Sequence, residues 1–76
     1  MSKYNGHKNW NHWNVSLWIK NDAGLYHMAR EYASDYSKTT AAALMFHRLT
    51  VLDGITHTPD GAPYTITTIR AAMRDL

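Results

Sequence analysis

The sequence predicts an all-α fold, a compact bundle of about four short helices spanning about 10–20, 22–37, 40–53 and 66–75, with a Pro/Gly loop at 55–64. Three observations lead there. Apolar residues recur at helical intervals through most of the chain, Asn, Asp, Ser or Thr stands where each periodic run begins, and Gly54 stands where the third run ends. With 76 residues there is room for one core, so the chain reads as a single domain over 1–76 with a polar N-terminal arm at 1–8.

Trp10, Trp13 and Leu17 fall at i, i+3, i+7, with Trp18 widening the stripe, and Asn9 precedes them as an N-cap whose amide oxygen can accept from first-turn N–H groups. This face is expected to supply most of the core. Asn21-Asp22 interrupts the pattern and can end one helix and cap the next. The second stripe is Leu25, Met28, Ala29, Tyr32 and Tyr36.

Ser37-Lys38-Thr39-Thr40 carries hydroxyls that disfavour a helix interior but cap a helix start. A third helix follows with Ala42, Met45, Phe46, Leu49 and Leu52 as its inner face, and Gly54 suits the left-handed position after its end. Thr58-Pro59-Asp60-Gly61-Ala62-Pro63 is a turn signal. Thr65 can cap a last helix whose face is Ile66, Ile69, Met73 and Leu76. The run Tyr64-Thr65-Ile66-Thr67-Thr68-Ile69 also has strand propensity, so 64–69 is open between strand and helix start.

A domain this small usually needs a supplement to its core, and with no cysteine neither a disulfide nor a thiolate metal site is available. Three Trp, five Tyr, one Phe and four Met supply bulk instead. Self-association is the other supplement, so the chain is expected as a monomer or a small homo-oligomer. The polar N-terminus predicts neither a signal peptide nor a membrane span, and a cytoplasmic location.

Catalysis and metal binding find no motif. The five histidines lack the i, i+4 or Cys/His spacing of a zinc site. Ser16, Ser34, His47 and Asp53 form no local nucleophile motif, and Glu31 with Asp35 at i, i+4 reads as a solvated face. The expectation is a binding protein with no cofactor, no metal and no catalytic residues. Net charge is +2 and uneven: residues 1–20 hold Lys3, Lys8 and Lys20 and no acid, with Trp and His interleaved. That basic end could bind nucleic acid directly.

Tyr4-Asn5-Gly6, then Asn9-Trp10-Asn11-His12-Trp13-Asn14-Val15-Ser16-Leu17-Trp18-Ile19-Lys20-Asn21-Asp22, then Leu25-Tyr26, resembles a family of short proteins encoded by phages and other mobile elements. Thr58-Pro59-Asp60-Gly61 resembles the same family's second half. The resemblance implies, through genomic company, an inhibitor of a host defence system in the host cytoplasm. It would be an anti-CRISPR protein that binds an effector complex and blocks nucleic-acid loading or nuclease recruitment. Six acids are too few for the extended phosphate mimic that some such inhibitors present. The expected contact residues are Lys3, Lys8, Trp18, Lys20 and Arg30, where charge and aromatic character coincide. A small nucleic-acid-binding accessory protein using the basic N-terminal region is the alternative.

Overall fold

The computed structural model describes Tyr4 and residues 6–76, the side chain of Asp75 excepted. Helix α1 spans Trp10–Asn21, α2 Ala23–Asp35, α3 Lys38–His47 and α4 Ile66–Ala72. A π-helical turn, Arg48–Leu52, extends α3, and a 3-10 turn, Met73–Asp75, extends α4. Among the described residues there is no strand, only an isolated bridge between His57 and Pro63 in the loop. The packing runs in a ring: α1 on α2, α2 on α3, α3 on α4, and α4 back on α1. The radius of gyration is 11.3 Å, against about 11.4 Å for a close-packed chain of this length.

Each helix is capped by a residue that the sequence offers for it, although α3 begins at Lys38, two residues before the expected start. Asn9 accepts from the His12 N–H at 3.0 Å, Ser37 from the Thr40 N–H at 3.4 Å. Asp22 serves two helices: its N–H donates to the Trp18 carbonyl at the end of α1, and its carboxylate accepts from the Leu25 N–H at the start of α2. At Thr65 and Thr68 a reciprocal capping box forms, Thr68 N–H to Thr65 Oγ1 at 3.0 Å and Thr65 N–H to Thr68 Oγ1 at 2.9 Å. This decides the 64–69 segment for helix. No neighbouring strand offers a ladder among the described residues, whereas the box satisfies two helix-end donors and the helical turn buries Ile69, Ala72 and Met73 together.

The core is narrower than the aromatic content suggests. Val15, Ile19, Ala29, Ala41, Ala42, Met45, Leu49, Ala62, Tyr64, Ile69, Ala72 and Met73 are buried. This corrects the expected face of α1. Val15 and Ile19 point inward, Trp13, Leu17 and Trp18 are half-buried, and Trp10 is exposed. The physical reason lies in the partners of α1: the buried Ala29 on α2 and Ala72 on α4 let these backbones close on a slim side of α1, and indole rings do not fit there. Trp13 instead packs against Tyr4, ring centroids 6.4 Å apart.

Leu52 is a second correction: it is 66% exposed rather than on the inner face of α3. The Thr50 hydroxyl donates to the Phe46 carbonyl at 2.6 Å, and the chain widens into a turn whose N–H groups reach back five residues, as from Asp53 to Arg48 at 3.0 Å. That shift of register carries Leu52 off the face shared by Met45 and Leu49. Tyr36 and Ile66, expected on the inner faces of α2 and α4, are likewise exposed, each standing at its helix end. Gly54 takes φ +69° just after the turn, as its position after the helix end requires. No helix of the described residues is long and apolar enough to cross a membrane.

Candidate functional site

Two grooves lie at opposite ends of α1 and α3. The first, about 740 Å³, is bounded by the N-terminal approach to α1, the first turn of α3 and the length of α4. Lys8, Lys38, Arg70 and Arg74 line it together with His7, His12, Thr39 and Thr67, and no acidic side chain lines it among the described residues. The chain has eight Lys and Arg, so half of them converge on one concave surface. The positive ends of the α1 and α3 dipoles add charge of the same sign.

The four cations arrive from three separate elements. Arg70 and Arg74 stand one turn apart, at i and i+4, while Ile69 and Met73 occupy the inner face. Lys38 is the first residue of α3 and donates from Nζ to the Arg74 carbonyl at 2.6 Å, which ties the start of α3 to the chain end and holds its ammonium at the groove. Lys8 comes from the arm preceding α1, shaped by the turn in which the His7 N–H donates to the Tyr4 carbonyl at 3.0 Å and Gly6 takes φ +89°. His12 follows on the first turn of α1. Its pKa is lowered, first by burial and then by the Lys8 charge, so the imidazole is held toward its neutral form beside the lysine.

The second groove, about 510 Å³, is apolar. Trp18, Leu25, Met28, Leu49, Ile55, Pro59 and Tyr64 form most of its wall, and Asp22 and Asp53 stand on it with no Lys or Arg among the described lining residues. The Tyr64 phenol is pushed above its ordinary pKa, chiefly by burial and secondarily by the nearby Asp22 charge.

Between the grooves the loop is fastened to α1. Asn14 Nδ2 and Trp18 Nε1 both donate to Asp60 Oδ2 at 2.9 Å. Thr58 Oγ1 donates to Asn14 Oδ1 at 2.6 Å and accepts from the Ala62 N–H at 3.0 Å. The Asp60 carboxyl is held below the ordinary carboxylate range, first by the Asn14 hydrogen bond and then by that of Trp18. The two motif segments of the chain, Asn14 to Trp18 and Thr58 to Gly61, are thus the two halves of one clasp.

The residues expected to make contacts are not brought together. Lys8 joins the cationic groove. Trp18 belongs to the clasp and the apolar wall. Lys20 is exposed on the last turn of α1. Arg30 lies over the Tyr26 ring at 5.8 Å, on the outer side of α2 with Glu31 and Asp35. Lys3 falls outside the described residues. Lys38, Arg70 and Arg74 escaped sequence reasoning; the i, i+4 arginine pair on the outer side of the terminal helix was the available signal. No group of three or more His, Asp or Glu that could hold a metal ion occurs among the described residues.

Comparison with curated proteins and with solved structures finds no match to the chain. A family model does match, over residues 1–76. The chain belongs to that family, DUF7249, a family of unknown function.

Proposed function

We propose that the chain is a non-catalytic binding protein whose cationic groove holds the phosphate backbone of a nucleic acid. The observation that carries this reading is the convergence of Lys8, Lys38, Arg70 and Arg74 on one groove with no acidic side chain among its described lining residues. A net charge of only +2 would not attract a polyanion strongly, but this local concentration would. Lysine and arginine on a concave surface, with threonine hydroxyls between them, match the donors used for phosphate contacts. No Phe, Tyr or Trp is among the described residues that line the groove, so the reading rests on backbone contacts by the cations and hydroxyls, with binding that follows the backbone rather than the sequence.

Such a protein acts by occupancy and needs no turnover. The reading as a counter-defence inhibitor, an anti-CRISPR that docks on a host effector complex, draws on the resemblance to mobile-element proteins and on no residue of this groove. The two readings part in one experiment. Fluorescence anisotropy with a labelled duplex of arbitrary sequence should show saturable binding by the native chain, and its loss in the Arg70→Glu, Arg74→Glu double variant with the helical circular dichroism unchanged. Absence of binding at low salt, with recovery of one protein complex from nuclease-treated host lysate, would reject the groove and favour the inhibitor.

A further inference from the structure

The apolar groove adjoins a protruding apolar ridge. Val51 is 64% exposed, Leu52 66% and Ile55 44%, a concentration of large apolar surface on the π-helical turn and the residues that follow it. Leu44 and Arg48, both exposed, continue this edge toward α3 at four-residue spacing from Leu52. Within the ridge, the five-residue hydrogen bonding of the turn rotates Leu52 away from the core.

We infer that this end of the molecule is the interface of a homodimer, in which the Val51/Leu52 ridge of each copy fills the apolar groove of the other. Ridge and groove lie at the same end of one chain, which is the condition for a two-fold interface, where one patch must be complementary to itself. Charge supports the same occupant. The groove wall carries Asp22 and Asp53 without a Lys or Arg among its described residues, and the ridge carries Arg48. Arg48 and Asp53 are 3.7 Å apart within the chain, with side chains 48% and 39% exposed. Both therefore retain open surface with which to meet the opposite charge of a second copy, and two such pairs facing across an axis alternate in sign. The cationic grooves stand at the far ends of α1 and α3 and stay accessible in such a dimer. The dimer is thus independent of the nucleic-acid reading, and it would supply the supplement that a core this small needs.

Sedimentation equilibrium of the full chain tests the interface across protein concentrations from about 1 µM to about 1 mM. The expected mass at the upper end is twice 8.7 kDa. Leu52→Glu should sediment as a monomer with its circular dichroism unchanged, because that side chain is outside the core. Arg48→Glu and Asp53→Arg should each be monomeric alone and form a dimer when mixed in equal amounts. In the mixed dimer both pairs across the axis are again opposite in sign, whereas the pair within each chain remains like-charged, so restoration reports a contact between copies. A native chain that stays monomeric throughout, a dimer that survives Leu52→Glu, or a mixture that fails to associate would each overturn the proposal.

Discussion

Trp18 and Asp60, 42 residues apart in sequence, are joined by a 2.9 Å hydrogen bond from the indole Nε1 to Oδ2, and the buried Asn14 donates to the same oxygen. A carboxylate oxygen that accepts two donors at this length is stabilised in its charged form. The Pro/Gly loop is therefore a clasped segment: its Asp60 faces solvent yet fixes the loop against α1, and the tryptophan that sequence reasoning offered as a binding residue is engaged within the fold.

The clasp should be visible in acid. The folded-state pKa of Asp60 lies below its ordinary value, so the unfolded chain takes up the proton first. Its contribution to stability is complete above the ordinary carboxylate value, about 3.9, and is lost as pH falls through the lower folded value. Urea midpoints measured across the acid range should fall more steeply for the native chain than for Asp60→Asn. Asn14→Ala, which leaves the Thr58 hydroxyl without its acceptor, should cost about 1–3 kcal/mol at neutral pH.

Two isoleucines test where the core lies. Ile19 is fully buried between helices and Ile66 is 41% exposed at the first position of α4. Ile19→Ala should cost about 2–5 kcal/mol in urea unfolding. Ile66→Ala should cost less than half as much, and equal losses would place the core elsewhere.

Gly54 holds φ +69°, and a Cβ built there meets nothing within 4 Å. The cost of Gly54→Ala is therefore backbone strain alone, about 1–2 kcal/mol, read as a lowered melting temperature with the far-ultraviolet spectrum retained.

His12 should titrate below about 6.5, its ordinary value. Because the folded value is the lower one, stability contributed by neutral His12 is present above about 6.5 and is lost as pH falls through the folded value. Lys8, Lys38, Arg70, Arg74 and His7 share its groove, so a bound phosphate backbone should raise the His12 midpoint by offsetting their charge. An NMR titration of the imidazole with and without duplex measures both effects; a midpoint unmoved by saturating duplex would place the ligand away from this groove.

Four phosphate contacts predict a log–log salt slope near −3.6 for duplex and near −2.8 for single strand. Anisotropy titrations at several salt concentrations measure it. A slope near zero would mean that the cations are not at the phosphates.

What the sequence by itself determined was local: that the chain is helical, which residues can cap its helices, and where it turns. Asn9, Asp22, Ser37 and Thr65 cap as their chemistry requires, and Gly54 and Gly61 supply positive φ, because these choices depend on atoms within a few residues of one another. Helical periodicity also placed Ala29, Ala42, Met45, Leu49, Ile69 and Met73 on inner faces correctly. What only the tertiary structure decided was which of several apolar residues on a helix meets a neighbour, and which distant groups converge. Trp10 and Trp13 match helical spacing as well as Val15 and Ile19 do. The slim interface left by alanines on the two helices that pack against α1 excluded the rings, and no spacing within α1 encodes that. In the same way Lys8, Lys38, Arg70 and Arg74 are scattered as a sequence and become one electrostatic surface only when α1, α3 and α4 pack, since Coulomb interaction depends on distance in space rather than along the chain.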